Sequence, residues 1–163
     1  QQIRSRYFPH DPDPEPGAST RIPHCPECGA AWLTGNTCEA NFHRLLFWEA
    51  EQPALGEVHH LMVLCYHLQH PSLYSPEGLP AARELLAQFI DLGVSPEQAI
   101  RQHRHQVDSR QRSWKITATP KTKAAYPTPP TWALTIADVA AAGPAHYCET
   151  VRQWAAETLK AIR

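Results

Sequence analysis

No apolar run in this chain approaches the ~20 residues that a membrane-spanning helix needs, and the N-terminus shows no basic-then-apolar leader pattern, so membrane insertion is not expected. Neither charge is in excess: 15 Lys and Arg stand against 16 Asp and Glu, a formal net charge of -1. That balance argues against a dedicated nucleic-acid binder, which needs a basic excess or patch to meet phosphates. There is no Gly-rich phosphate loop, no Gly-x-Ser-x-Gly nucleophile elbow and no repeat period, which removes the usual signatures of nucleotide binding, of serine hydrolases and of a solenoid. The cysteines number 5, an odd count that does not suit a secreted disulfide framework. A reducing, cytoplasmic compartment explains them better.

What is present is enough for one domain. A chain of 163 residues buries most of its apolar surface without covalent staples. Pro9, Pro12, Pro14, Pro16 and Gly17 deny residues 1–22 both helix and central strand, so an extended Pro-rich arm is expected there, followed by a single domain over residues 23–163. Helical spacing of apolar residues predicts a first helix from Cys38 to Glu51, broken by Pro53 and Gly56. A second runs from Glu57 to Gln69 and stops where His70 precedes a proline. Ser75-Pro76-Glu77 and Ser95-Pro96-Glu97 each place serine at an N-cap and proline at the first helical position. They open a third helix ended by Gly93 and a fourth running to about Val107. The proline-broken stretch 113–134 is expected to be irregular, with a short edge strand at Trp114 to Thr117 and Trp132 pinning the loop. A short helix from Thr135 ends at Gly143, and a last amphipathic helix begins at Pro144.

The chemistry concentrates in Cys25-Pro26-Glu27-Cys28-Gly29. A Cys-x-x-Cys knuckle closed by glycine points two thiolates at one ion while backbone amides donate to the sulfurs. The short Pro/Gly break makes the first two helices an antiparallel hairpin turning near Ala54, so residues equidistant from Ala54 face one another. Cys38 then meets His70 and Glu49 meets His59. Within each helix the two members share a face, yet eleven residues of helix rise about 16 Å, so the two pairs cannot serve one ion. Cys25, Cys28, Cys38 and His70 therefore form the expected Cys3His site, with Zn2+ as cofactor and His59 as the alternative fourth ligand. Four protein ligands leave no open position for water, so such a site stabilises the fold.

Glu49 and His59 suit either a buried hydrogen bond that satisfies a core imidazole, the reading favoured here, or a general base or second metal position. His43, His60 and His67 form a weaker candidate for a second metal site, with solvated side chains as the plainer account. Arg101, His103, Arg104, His105, Arg110, Arg112 and Lys115 make the main basic cluster, read as a solvated helix end. Cys65 and Cys148 fall on apolar helix faces, where a free thiol behaves as a small hydrophobe, and His146 has no evident partner.

Cys25-Pro26-Glu27-Cys28-Gly29-Ala30, Cys38, Phe42, Glu49, Val58-His59, Leu61, Val63, Tyr66 and Gln69-His70-Pro71 resemble a bacterial family of unknown function, DUF5946. The likeness is close over residues 23–71 and looser from Asp138-Val139 to Trp154-Ala155. It implies a small cytosolic protein with a zinc knuckle and brings no activity. The chain departs from the family pattern at His43 and Leu64, where acids are common, and at His60, where arginine is common; the missing acid at Leu64 weakens an enzyme reading. The expected architecture is mainly α: a small helical bundle with an N-terminal zinc knuckle packed on an antiparallel helix hairpin, and little or no β. The expected role is a binding or regulatory module for an unknown protein or small-molecule ligand. The alternatives are a metal-dependent hydrolytic enzyme using Glu49 and His59, and a thiol redox sensor cycling Cys25 and Cys28.

Overall fold

A computed structural model of the chain describes residues 21–102 and 116–163. Among these are six α-helices, three short 3-10 turns and no strand: α1 (Cys38–Glu51), α2 (His59–Gln69), α3 (Gly78–Asp91), α4 (Pro96–Gln102), α5 (Ile136–Ala142) and α6 (Tyr147–Ile162). The expected Pro-rich arm falls almost wholly on residues 1–20, outside the described residues, as do the far end of the fourth helix and most of the basic cluster.

The helix ends follow from local chemistry. Thr37 caps α1, its hydroxyl accepting from the Ala40 amide at 3.1 Å. Pro53 cannot continue that helix, and Pro53–Val58 instead winds as a 3-10 turn before α2 starts at His59. His70 closes α2 in a non-helical conformation (φ -127, ψ 67) imposed by the following proline. Ser95 caps α4 reciprocally: its hydroxyl accepts from the Gln98 amide at 3.2 Å, and the Gln98 side chain accepts from the Ser95 amide at 2.9 Å. At α3 the expected serine cap forms: the Ser75 hydroxyl accepts from the Gly78 amide at 2.9 Å and the Ser75 carbonyl from the Leu79 amide at 3.2 Å, while the Ser75 amide, which the helix does not use, donates to the Ile116 carbonyl at 2.8 Å. Pro76 and Glu77 make the opening turn and regular helix begins at Gly78, since Pro80 has no amide to bond the Pro76 carbonyl. Gly78 is required there, since a Cβ would stand 2.4 Å from the Ile116 carbonyl oxygen. The anticipated edge strand reduces, within the described residues, to an isolated bridge between Thr117 and Tyr74.

The core lies where α6 packs across α2, α3 and α5, with α1 closing on α5. Met62, Cys65 and Leu68 of α2, Leu86 of α3, Val139 of α5 and Tyr147, Val151 and Trp154 of α6 are wholly buried. Truncating a tryptophan buried like Trp154 costs roughly 3–5 kcal/mol. α1 and α2 run antiparallel, joined by side chains at three levels: Cys38 beside His70, Phe42 stacked on Tyr66 at 4.3 Å, and Glu49 on His59 at 2.6 Å. The segment before α5 is tied to the end of α2. Tyr126 donates to the Leu68 carbonyl at 2.8 Å and buried Gln69 donates to the Leu134 carbonyl at 2.7 Å. Trp132 stands edge-on to the Tyr126 ring, 5.9 Å between centroids. These bonds fix the end of α2, and so fix His70.

Candidate metal centre

The knuckle is built by its own backbone. The Cys25 amide donates to the Ala30 carbonyl and the Gly29 amide to the Cys25 carbonyl, both at 2.9 Å, and His24 bridges Ala31 in antiparallel fashion. Gly29 takes the left-handed conformation (φ 75) that this reversal requires. The Cys28 amide reaches back to the Cys25 sulfur at 3.5 Å. Cys38 arrives from the first turn of α1, where the helix dipole favours a thiolate, and His70 from the end of α2.

These elements bring Cys25, Cys28, Cys38 and His70 together. One donor atom from each lies within 4.8 Å of every other, and all four residues are buried. Cys28 Sγ and Cys38 Sγ are 3.5 Å apart, as are Cys25 Sγ and His70 Nε2. A tetrahedron with sulfur at ~2.3 Å and nitrogen at ~2.0 Å has edges of roughly 3.5–3.8 Å, so the spacing suits a shared tetrahedral ion. The His70 ring is oriented for the role: Nδ1–H donates to the Tyr66 carbonyl at 2.6 Å, which leaves the Nε2 lone pair for the thiol cluster. Trp32 Nε1–H donates to Cys38 Sγ at 3.4 Å.

The electrostatics carry the same message. The Cys38 thiol is pulled well below its ordinary value by the hydrogen bond from Cys28, helped by His70 and Trp32 against the opposing effect of burial. Cys28, the donor of that bond and itself buried, is pushed far up. Burial depresses His70, but its bonds to Cys38 and to the Tyr66 carbonyl prevail and its pKa rises. Two sulfurs this close and this buried need either a shared proton or a cation between them.

Two residues that clamp the knuckle have no signal in the sequence. Glu27, inside the Cys-x-x-Cys, accepts from the Ser72 amide at 3.0 Å and from the Ser72 hydroxyl at 2.9 Å. Ser72 follows His70 by two positions, so this carboxylate fastens two ligand-bearing segments directly to one another.

The other candidates fall elsewhere. His59 is not with the thiols: its Nδ1 lies 2.6 Å from Glu49 Oε2, and the other oxygen of Glu49 accepts from the Tyr147 hydroxyl at 2.6 Å. Burial and the bond to Glu49 push the Tyr147 phenol well above its ordinary value. His43, His60 and His67 do not gather. His43 is exposed beside Glu39 at 3.7 Å, His60 packs edge-on to Phe89 with centroids 4.7 Å apart, and His67 Nδ1–H donates to the Val63 carbonyl at 2.8 Å. Cys65 is wholly buried, which pushes its thiol up to about 12, and burial raises Cys148 as well, so both are poor nucleophiles. Of the basic cluster, Arg101 is exposed on α4; His103, Arg104, His105, Arg110, Arg112 and Lys115 lie outside the described residues.

A family of unknown function, DUF5946, matches residues 23–163, and this span takes in the knuckle, all four donors and every described helix. The chain belongs to DUF5946. The resemblance noted over residues 23–71 and toward the C-terminus thus extends through the whole helical region. No curated protein and no solved structure matches the chain. Among the described residues, no helix is long and apolar enough to cross a membrane.

Proposed function

We propose that this DUF5946 member is a zinc-stabilised helical module whose task is binding or regulation in the cytoplasm, with Cys25, Cys28, Cys38 and His70 as the complete ligand set of one Zn2+. One observation carries this reading: four buried donors converge at spacings close to those of a tetrahedral site. Three thiolates and an imidazole favour a soft divalent ion over the oxygen-preferring Mg2+ and Ca2+. When bound, the ion would supply the positive charge that keeps three adjacent thiols deprotonated. The chain's own residues do the rest: Tyr66 holds the imidazole, Trp32 donates to Cys38, and Glu27 latches the knuckle onto Ser72. A filled ligand set leaves no position for a reacting water, which assigns the ion's energy to folding.

The test is metal content per chain on untagged protein, with thiols counted before and after chelation. One zinc with three thiols that react only after chelation is expected. Metal-free protein with freely reactive thiols would overturn the proposal, and so would a Cys25–Cys28 disulfide formed under mild oxidant, which belongs to the redox-sensor reading. A second reading, a metal-dependent hydrolase using Glu49 and His59, draws support from that pair standing 2.6 Å apart beside a pocket. It requires a second ion or an activated water, and more than one metal per chain would favour it.

A further inference from the structure

α2, α3 and α4 enclose a pocket of about 390 Å³ that shares no residue with the thiol cluster. Its wall is apolar, formed by Val63 and Leu64 of α2, Leu85 and Phe89 of α3, Ala99 of α4, and Ile116. The volume falls in the range of small-molecule sites, which pair an apolar lining with a few placed polar groups. Here those groups are His59, His60, Glu84 and Gln88.

One of them is held by a buried network. Tyr147, itself wholly buried, donates to Glu49, and Glu49 takes the His59 Nδ1–H. Glu49 is 9% exposed while the His59 side chain is 52% exposed, so the network runs from the core out to the pocket. It fixes the imidazole and leaves Nε2 as the ring's remaining polar atom, an acceptor in the neutral ring. Glu84 is the one carboxylate among the described lining residues, which include no lysine or arginine; just outside them, Glu97 interacts with both His60 and Arg101. An anionic head would meet the Glu84 carboxylate and, among the described lining residues, no lysine or arginine, whereas a hydroxyl would meet acceptors.

We infer that this pocket binds an uncharged, largely apolar small molecule bearing a hydroxyl group, which donates its hydrogen bond to His59 Nε2. The inference deepens the binding-module reading and rests on it. Glu49 and Tyr147 are then positioning residues for His59 and have no need of a metal.

The experiment is an NMR titration of uniformly labelled protein of measured metal content with 2-naphthol, naphthalene and 2-naphthoate. Saturable 2-naphthol binding is expected, with shifts concentrated on α2, α3 and α4, at least tenfold tighter than 2-naphthoate. Ala81→Phe, at a half-buried lining position, should abolish binding by filling the space. His59→Ala should weaken 2-naphthol roughly two- to tenfold and leave naphthalene unchanged. The two variants enter the pocket from different helices, and amide spectra report whether each keeps the fold. No saturable binding, 2-naphthoate binding as tightly as 2-naphthol, or equal loss of naphthalene and 2-naphthol in His59→Ala would each overturn the inference. Absent binding in protein carrying one zinc would overturn the pocket alone, whereas binding by protein that carries no metal would overturn the zinc reading alone.

Discussion

Replacing Tyr147 by phenylalanine removes one hydroxyl and keeps the ring that stands edge-on to Trp48, with centroids 6.1 Å apart. The hydroxyl is buried and donates to Glu49 at 2.6 Å, and the carboxylate side chain is itself only 9% exposed. A hydrogen bond to a charged, mostly buried group is worth about 1.5–3 kcal/mol. For a chain of this length, 1 kcal/mol moves the melting temperature by roughly 2–4 °C, so Tyr147→Phe should lower it by about 3–12 °C. Thermal unfolding at fixed free zinc is the assay, because bound metal shifts the apparent stability by mass action. In a double-mutant cycle, Glu49→Gln should remove most of the penalty, since an uncharged amide needs the phenol less. A melting temperature unchanged within a degree would mean that solvent already satisfies Glu49. The account of Glu49 as a buried link from α6 to His59 would then fail.

Glu27→Gln weakens the latch on Ser72 without touching a metal ligand. Loss of such an outer partner typically costs 10–100-fold in metal affinity, so zinc should pass to a competing chelator at correspondingly lower chelator concentration while the helical circular dichroism is retained. For pH, burial lowers His60 and His67 below their ordinary 6.5 in the fold. Between the folded and unfolded pKa values the unfolded chain binds more protons, so stability rises with pH there and falls as pH drops through 6.5. His67→Gln should flatten this acid-side loss in urea titrations run between pH 7.5 and 5; an unchanged slope would remove His67 from the explanation.

The sequence carried the hairpin because its signals are local. Pro53 and Gly56 mark the turn, and equal distance from Ala54 pairs Cys38 with His70 and Glu49 with His59. The Phe42–Tyr66 stack obeys the same rule, though nothing but its position marks it. The rest depends on contacts between segments far apart in the chain. Tyr147 reaches Glu49 across 98 residues and Tyr126 reaches Leu68 across 58, and no spacing rule pairs them. Ser75 combines both kinds: its hydroxyl and carbonyl cap the first turn of α3 as the local signal requires, whereas its amide reaches the distant Ile116 carbonyl, a contact no spacing rule reveals. The three histidines of α1 and α2 share helical spacing, yet Phe89, the Val63 carbonyl and solvent draw them apart. The pocket was invisible for the same reason, since Ile116 and α4 reach it only through the tertiary fold.

X-ray absorption at the metal edge of the purified protein tests the central claim most directly. The account predicts zinc with three sulfur neighbours at ~2.3 Å and one nitrogen at ~2.0 Å, and a shell of two sulfurs with mixed nitrogen and oxygen in Cys38→Ser. A wild-type shell dominated by nitrogen and oxygen, or a spectrum that Cys38→Ser leaves unchanged, would contradict it.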